Sequence, residues 1–328
     1  MSIEFIWQLP TGGDARYGAE KPERRGERVR PGRYFSDDVT DPRGTRFNYL
    51  DYLHQVARAA DLSGFDGIQI RNDPQGDESW IVAGYLARST RHVRLLTEFD
   101  ASRGSAVYAA KNAVSYQRYT RGRFAWQIGT GGTREQRRSQ GDFAEGADVI
   151  PRIEEFITVA RGVLTSGTYS FKGKYFEVLN GGFKGPLSNS PLPRIYLSGN
   201  TAEAYELSAK VADVHVFDGL PPDQLEAEIR KLEDLGERRS HPLHLGLRLS
   251  VLARESEAEA RADAAHFPGQ PVVGSYAKIS GLLADYVKAG IGSFILAASP
   301  HLEEAYRVGE HVLPAVRRLI TPSGRDAA

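Results

Sequence analysis

Polar side chains that could support catalysis or bind a ligand occur near the ends of the predicted strands in this sequence. Parallel strands bring their carboxyl ends to one rim, where such side chains can surround a ligand. Arg248 and Ser250 lie two residues apart in "LGLRLSVLARE" and therefore share one face of a strand. The other candidates at strand ends are Trp7, Gln8, Thr11, Arg71, Asn72, Asp73, Glu98, Asp100, Ser102, Gln127, Thr130, Gly131, Ser198, Asn200, Thr201, Phe217, Asp218, Ser299 and His301.

Arg248 carries the clearest electrostatic signal among these candidates. A cation in a barrel mouth is costly to bury unless an anion meets it. The sequence therefore indicates either an anionic ligand or an ion pair with a barrel carboxylate such as Glu98. Asp and Glu residues are scattered over several strand ends, and no spacing singles out a carboxylate pair for acid–base work.

Two junctions between strand and helix, 128–133 ("IGTGGT") and 197–206 ("LSGNTAEAYE"), are small, polar and contain glycine. Such junctions let backbone N–H groups and a helix N-terminus approach a phosphate. Each junction could equally do no more than cap the helix that follows. Two of them on one rim favour a phosphorylated cofactor, with Gly131 part of the first junction.

The segment that begins "SPHLEEAYRVGE" at Ser299 predicts a C-terminal helix from about 300 to 319. Ser299 is the expected N-cap and Pro300 the first helical residue, while two glutamates suit the positive end of the helix dipole. Capping and packing explain most of the segment. They do not explain Tyr306, whose phenol is placed one to two turns into the helix, within reach of the rim.

Composition excludes several classes of function. The 328 residues include 42 Lys and Arg against 42 Asp and Glu, so no net charge favours nucleic acid or an anionic membrane. The absence of cysteine excludes disulfides, thiolate nucleophiles, cysteine-bound zinc and iron–sulfur clusters. Eight scattered histidines, none in an HExxH array, predict no metal site. Without a leader-like N-terminus or an apolar run of about 18 residues, we expect a soluble, cytoplasmic protein with a small-molecule partner.

The elements that must position these side chains alternate between short apolar strands and longer amphipathic helices. Eight such βα units favour a (β/α)8 TIM barrel in the α/β class, formed by residues 1–328 as one domain. An open doubly wound sheet is the alternative, but no GxGxxG follows the first strand. The predicted strands are 3–9, 66–70, 92–99, 123–131, 194–199, 213–219, 243–255 and 292–299, with the main helices at 48–63, 78–89, 105–119, 148–165, 202–212, 222–236, 256–265 and 275–289.

Two insertions interrupt the repeat. Residues 12–47, after the first strand, are charged and rich in Gly, Pro and Arg, which is typical of either a functional lid or a disordered loop. Residues 167–194, before the fifth strand, contain "TYSFKGKYFEV", which predicts a β-hairpin turned at Lys172-Gly173 and followed by a connector.

Four segments together resemble the bacterial luciferase-like flavin monooxygenases, and within them the alkanesulfonate monooxygenase group that depends on reduced FMN. They are "FIWQLPTGGD", "GLRLSVLARE", "AGIGSFILAASP" and "PHLEEAYRVGE", and the resemblance runs from about residue 3 to about 320. It implies a two-component enzyme: a separate NAD(P)H:flavin reductase supplies FMNH2, which reacts with O2 through a flavin peroxide to oxygenate a small substrate. It also implies a homodimer or homotetramer.

Carried over by position, the resemblance places the FMN phosphate near Asn200 and Thr201. Arg248 and Tyr306 match the active-site arginine and tyrosine of the family, and we include Ser250 as the third catalytic candidate. The resemblance places the isoalloxazine near Glu98, Gln127 and Thr130. We include Gly131 and Ser198 as further cofactor-binding candidates, and Trp7, Asn72 and Asp218 as substrate-binding candidates.

The sequence also departs from the alkanesulfonate monooxygenases. Ser250 replaces a histidine, Asp218 a tryptophan, Gly76 a cysteine and Gly12 a histidine, and the segment between Arg254 and Gly274 is too short to supply a second substrate-binding arginine. The substrate could therefore be a sulfonate, a sulfone or another carbon skeleton. Two alternatives remain open: hydride transfer with a deazaflavin on the same barrel, and a flavin-binding protein without catalysis.

Overall fold

The structure is a computed structural model. It describes residues 3–15, 23–25, 28–30, 33–34, 47–102, 104–165, 167–188, 190–236, 242–267 and 269–321. Most of the predicted lid, residues 12–47, lies outside the described residues, so the lid stays a prediction. No helix in the described part of the chain combines the length and the apolar character needed to cross a membrane.

Strands and helices alternate along the chain as the sequence predicts. The strands are β1 (Glu4–Leu9), β2 (Arg28–Arg30), β3 (Arg33–Tyr34), β4 (Gly67–Ile70), β5 (Arg94–Asp100), β6 (Phe124–Gly129), β7 (Tyr169–Lys172), β8 (Glu177–Gly181), β9 (Arg194–Ser198), β10 (Val214–Asp218), β11 (His244–Arg254), β12 (Val272–Ser275) and β13 (Ile291–Ala297). The helices are α1 (Tyr49–Leu62), α2 (Ser79–Ser89), α3 (Ala106–Thr120), α4 (Arg134–Ser139), α5 (Gly146–Gly162), α6 (Ala202–Val211), α7 (Pro222–Gly236), α8 (Glu257–Ala264), α9 (Tyr276–Lys288), α10 (His301–Arg307) and α11 (Leu313–Ile320).

The eight strands β1, β4, β5, β6, β9, β10, β11 and β13 are those of a (β/α)8 TIM barrel, which confirms the predicted fold class. The chain divides into two compact units. Unit 1 contains Met1–Val93, Gly219–Glu226 and Gly246–Ala328, and unit 2 contains Arg94–Asp218 and Ala227–Leu245. The single-domain boundary at 1–328 stays a prediction.

Unit 1 is built around the strand order β4-β1-β13-β11-β12. β1 pairs in parallel with β13, Trp7 opposite Leu296, and with β4, Gln8 opposite Gln69. All seven residues of β13 are buried, as expected for a parallel strand covered on both faces. α1 begins with a capping box between Asn48 and Asp51 and buries an apolar stripe.

Unit 2 contains the strand order β10-β9-β6-β5. Its register places Glu98 of β5 opposite Gln127 of β6, and Gln127 opposite Tyr196 of β9. Three aromatic rings, of Phe99, Trp126 and Phe156, pack with centroids 5.3 to 6.1 Å apart and form the core beneath α5. The carboxyl ends of these strands are thereby fixed side by side.

The structure differs from the sequence predictions in five local features. β12 and the short helix α4 were not predicted, because they have only four and six residues. The hairpin of β7 and β8 forms, but residues 173–176 connect its strands, so the predicted turn at Lys172-Gly173 was too early. The C-terminal helix contains a π-helical turn, Val308–Val312, between α10 and α11. Its N-cap is Pro300, so the prediction of Ser299 as N-cap was wrong.

Candidate functional site

The carboxyl ends of β1 and β13 in unit 1 meet at a buried carboxylate, Asp14. Its side chain is fully buried and accepts hydrogen bonds from three other side chains and one backbone amide. Ser299 Oγ donates at 2.9 Å and the His301 backbone N–H at 2.7 Å, while the Tyr52 hydroxyl of α1 donates to Oδ2. His301 Nδ1 lies 2.8 Å from Asp14 Oδ1. We call Asp14, Tyr52, Ser299 and His301 the Asp14 cluster.

A tight turn after β1 carries Asp14 to this position. The backbone N–H of Gly13 bonds to Pro10 O at 3.1 Å, and Thr11 Oγ1 bonds to Arg71 O at 3.1 Å. A Cβ atom at Gly12 would meet the Asp73 carboxylate, so a larger residue at this position would require the Asp73 side chain to move.

The hydrogen bonds of the cluster keep Asp14 ionised. Burial alone would raise the pKa of its carboxyl, but the charge and hydrogen bonds of His301, with the Tyr52 hydroxyl, lower the pKa below its ordinary value. Burial and the negative charge of Asp14 raise the pKa of the Tyr52 hydroxyl, so this group donates as a neutral phenol. The ionised Asp14 carboxylate thus accepts all four hydrogen bonds of the cluster.

The two ring nitrogens of His301 differ: Nδ1 lies against Asp14, whereas Nε2 does not contact that carboxylate. Because Asp14 is ionised and can only accept, Nδ1 must carry a proton. Nε2 is buried and has no hydrogen-bond partner among the described residues. The His301 carbonyl accepts from Trp7 Nε1 at 3.2 Å, and the two rings meet edge to face with centroids 6.2 Å apart. Trp7, predicted to bind substrate, is fully buried and fixes the backbone that carries this histidine.

The predicted catalytic residues Arg248 and Ser250 do share one face of β11, since the strand runs through both. Arg248 is half-buried and Ser250 exposed. Tyr306, on α10, is 37% exposed. Asn72, just beyond β4, is half-buried. The roles assigned to these four residues stay predictions.

The most deeply buried cation on β11 is Arg254, six residues beyond Arg248. Arg254 is 1% exposed and makes two hydrogen bonds, of 3.0 and 2.9 Å, to the fully buried carboxylate of Glu304. Asp263 and Arg307 complete this ion cluster. The sequence had suggested that Glu304 serves the helix dipole, but its carboxylate instead neutralises Arg254.

Unit 2 holds the predicted cofactor residues. Gln127 is buried, Glu98 and Ser198 are half-buried, and Thr130, Asn200, Thr201 and Asp218 are exposed at the carboxyl ends of their strands. A pocket of about 710 Å³ opens beside the two glycine-containing junctions. It is lined by Thr130, Arg137, Gly146, Ala147, Val149, Ile150, Pro151, Glu154, Gly199, Thr201, Glu203, Ala204, Glu206, Leu207 and Lys210. Of the predicted cofactor residues, Thr130 and Thr201 line this pocket.

Arg137 of α4 is the pocket residue that the sequence did not reveal. It is 9% exposed, although it belongs to the highly charged run "TREQRRS". One guanidinium nitrogen, Nη1, donates to Gly132 O at 2.8 Å, while the buried Nε has no hydrogen-bond partner among the described residues. A buried, partly unsatisfied guanidinium at a pocket wall is suited to an anionic ligand.

Neighbouring carboxylates leave Arg137 only partly neutralised. Asp142, five residues further on, accepts hydrogen bonds of 2.9 and 2.6 Å from Arg152, and this pairing lowers the pKa of Asp142 to about 2. Lys210 lies 3.5 Å from Glu154 across the pocket. Glu203 and Glu206 also line the pocket but are exposed to solvent. The pocket wall therefore offers one buried cation for a phosphate.

Glycines shape the backbone around Arg137 and at the second junction. Gly131 has φ +76°, and a Cβ there would lie 2.9 Å from Arg137 Cγ. Gly199 has φ +136°, and a Cβ there would lie 2.9 Å from Ala204 Cβ in the first turn of α6. Both positions therefore require glycine for conformation and for close approach.

Thr201 caps α6, because its hydroxyl accepts from the Ala204 N–H at 3.2 Å. The capping interpretation of "LSGNTAEAYE" is therefore correct as far as this hydroxyl is concerned. Thr201, Glu203 and Ala204, at the start of α6, line the same pocket as Arg137, and the N–H groups of a first helical turn are donors that a phosphate can use. Capping and phosphate binding are compatible at this junction.

A sequence model of the luciferase-like monooxygenases matches residues 4–307, so this chain belongs to the luciferase-like monooxygenase family, whose enzymes are flavin-dependent. Solved structures with the same fold include EDTA monooxygenase from Chelativorans sp. BNC1, with TM-score 0.76 and 12% identity over 97% of this chain and 94% of that one. Riboflavin lyase, solved with modified FMN and riboflavin, has TM-score 0.74 and 15% identity over 100% and 94%. An F420-dependent secondary alcohol dehydrogenase has TM-score 0.70 and 15% identity over 97% and 100%.

Proposed function

We propose that this enzyme is a two-component monooxygenase that receives reduced FMN from a separate NAD(P)H:flavin reductase and uses O2 to oxygenate a small organic substrate. Membership of the luciferase-like family supports the reaction class. The observation that supports FMN is the buried guanidinium of Arg137, with its unsatisfied Nε, at the wall of the pocket beside α6. Organosulfur compounds, namely sulfonates and sulfones, are the first substrates to test.

The residues present fit a flavin phosphate. Arg137 supplies a positive charge, the first turn of α6 supplies N–H donors, and Gly131 and Gly199 keep both junctions free of side chains. Thr130 supplies a further hydroxyl at the same pocket. Phosphate groups are bound in this way at many helix N-termini.

Bound reduced FMN would supply the two electrons with which one atom of O2 enters the substrate while the other leaves as water. In this proposal Arg248 binds an anionic substrate or the negative charge that develops during the reaction. The Tyr306 hydroxyl donates a hydrogen bond to the same charge. Glu98 and Gln127, which the register places side by side, contact the flavin ring.

Anaerobic titration with reduced FMN and with reduced riboflavin, which lacks the phosphate, tests the cofactor site. Wild-type protein should bind reduced FMN more tightly, and Arg137→Ala should weaken that binding by about 10- to 100-fold, since a hydrogen bond to a charged group contributes about 1.5–3 kcal/mol. Binding of reduced riboflavin should change little in the same variant. Arg134→Ala is the matched control, because Arg134 lies on the same helix with its side chain 59% exposed.

Oxygen consumption in the presence of reduced FMN and a panel of sulfonates and sulfones then tests the reaction. Substrate-dependent formation of an oxygenated product supports the proposal. Preferential binding of reduced F420 over reduced FMN would contradict it and indicate a deazaflavin-dependent oxidoreductase. Equal affinity of Arg137→Ala and wild type for reduced FMN would place the phosphate elsewhere.

A further inference from the structure

The Arg137 pocket continues along α5 and α6, beyond the two glycine-containing junctions. The residues that line it on these helices recur at spacings of three and four positions, and they include Ala147, Ile150 and Glu154 on α5 and Glu203, Leu207 and Lys210 on α6. Residues at such spacings share one face of a helix. This part of the pocket, the α5–α6 groove, therefore follows α6 for about 10 Å between Glu203 and Lys210, since a helix rises about 1.5 Å per residue.

The wall of the groove carries more negative than positive charge. Besides the buried Arg137, its charged residues are one lysine and three glutamates, namely Lys210, Glu154, Glu203 and Glu206. The Lys210 ammonium lies 3.5 Å from the Glu154 carboxylate, so this pair adds no net charge. Glu203 and Glu206 therefore give the exposed wall its negative charge.

Glu203 lies in the first turn of α6, at the end of the groove nearest the junctions. Hydrogen bonds from its own backbone N–H and from the Thr201 hydroxyl lower the pKa of its carboxyl below the ordinary value. Glu203 is therefore ionised at neutral pH and already uses one of the N–H donors of this turn. Glu206 follows three positions later on the same helix and is exposed to solvent.

Burial makes Arg137 and the two glutamates act differently on an anion. Arg137 is 9% exposed and its Nε has no partner among the described residues, so water screens its attraction for a contacting phosphate only weakly. Glu203 and Glu206 are exposed, so their repulsion is screened by water and salt and acts mainly on nearby groups. A single phosphate at Arg137 therefore gains more than it loses, whereas further anionic groups along the groove meet only repulsion.

We propose that Glu203 and Glu206 are specificity residues: they allow a flavin that ends in one phosphate and exclude a cofactor whose phosphate continues into an acidic tail. F420 is a deazaflavin of the second kind, because its phosphate is joined through a lactyl group to glutamates with further carboxylates. The inference rests on the proposed function, since it takes Arg137 as the partner of the cofactor phosphate.

Binding of two deazaflavins that share the ring and the phosphate tests the role of the groove. F420 with several glutamates is compared with the form that has none, so that only the acidic tail differs. Wild-type protein should bind the form without glutamates about tenfold more tightly at low salt. This preference should nearly disappear at about 1 M salt, where the Debye length is about 3 Å. Reduced FMN and reduced FAD form a second pair, because the second phosphate of FAD also extends beyond the first, and FMN should bind more tightly.

A double variant separates charge from shape. Glu203→Gln combined with Glu206→Gln keeps the size of both side chains and removes both charges, so the preference within each pair should fall by about fivefold or more. Reduced FMN should bind this variant at least as tightly as wild type. Glu233→Gln combined with Asp234→Asn is the matched control, because it removes two exposed charges from α7 of the same unit, outside the pocket. The control should keep the wild-type preference.

The proposal is overturned if wild-type protein binds both members of each pair equally at low salt. It is also overturned if the preference survives in the glutamate double variant, or if the α7 control loses it to the same extent. Thermal unfolding of each variant excludes simple loss of the fold. Failure of the proposed function gives a different result: reduced FMN then does not bind wild type, or it binds Arg137→Ala equally well.

Discussion

The Asp14 cluster of unit 1 and the Arg137 pocket of unit 2 use charge in opposite ways. Asp14 has all its partners within the chain, in a space that is almost closed to solvent. Arg137 is buried, but its pocket is open, and one of its nitrogens lacks a partner among the described residues. Fully satisfied groups fix geometry, whereas partly satisfied groups leave interaction energy available to a ligand.

The difference extends to the backbone. The first region is fixed by hydrogen bonds between segments far apart in the chain, such as Asp14 and His301, separated by 287 positions. The second combines residues between Thr130 and Lys210, and each of its two junctions is shaped by a glycine with positive φ next to a helix cap. We therefore expect substitutions in the hydrogen-bonded region of unit 1 to lower mainly the stability of the protein. Substitutions at the Arg137 pocket of unit 2 should lower mainly its affinity for a ligand.

The largest effect on stability should come from the ion cluster of Arg254 and Glu304, whose buried charges, like that of Asp14, are paired within unit 1. Glu304→Gln leaves Arg254 short of negative charge in a buried site, so the free energy of unfolding should fall by about 3–5 kcal/mol. Denaturant unfolding measures the change. Glu303→Gln, one residue away with its side chain 50% exposed, should change stability by less than about 0.5 kcal/mol. Similar losses in both variants would contradict the assignment of a buried ion pair.

Asp14→Asn should lower the free energy of unfolding by about 2 kcal/mol at neutral pH, because a buried, charged acceptor is removed. The pKa of Asp14 is lower in the folded protein than its ordinary value of about 3.9, so its contribution is present above that pH and is lost as the pH falls further. Unfolding curves measured between pH 7 and pH 3 should therefore show that wild type and variant differ less in their free energy of unfolding below about pH 4.

Asp142→Asn provides the counterpart in unit 2. Its carboxylate is paired with Arg152, and its pKa of about 2 means that the contribution persists as the pH falls and disappears only near that value. The loss at neutral pH should be smaller, about 1 kcal/mol. A difference that is independent of pH in both variants would mean that neither carboxylate is stabilised in its charged form.

The smallest effect on stability should come from Gly131→Ala, whose main effect should be on ligand binding. The strained φ should cost about 1 kcal/mol, and the new Cβ should displace Arg137 and weaken reduced-FMN binding by about tenfold. Gly141→Ala is the control, because its φ is +80° but no heavy atom lies within 4 Å of an added Cβ. If both variants lose FMN affinity equally, crowding of Arg137 is not the cause.

The barrel and its strand ends were predictable because their signals are local. The apolar run of β13 and the shared face of Arg248 and Ser250 follow from strand periodicity, which needs no knowledge of the rest of the chain. The resemblance carried by "PHLEEAYRVGE" predicted the family, which the match over residues 4–307 confirmed.

The candidate sites were predictable only in part. Thr130 and Thr201 were found from their junctions, but Arg137 was missed because the run "TREQRRS" has the composition of a solvent-exposed helix. His301 was recognised as a residue at a strand end without a role, since its partner Asp14 belongs to a segment interpreted as either a lid or a disordered loop. No pattern in the sequence distinguishes a buried arginine or a paired histidine from an exposed one.

The sequence by itself determined the order of strands and helices, the residues at the strand ends and the family, because periodicity and motifs depend on near neighbours. Only the tertiary structure decided which charges are buried and which partners they have: Asp14 with His301, Glu304 with Arg254, and Arg137 at an open pocket. The physical reason is that burial and pairing depend on packing between segments distant in the chain, and the cost of an unpaired charge makes those pairings specific.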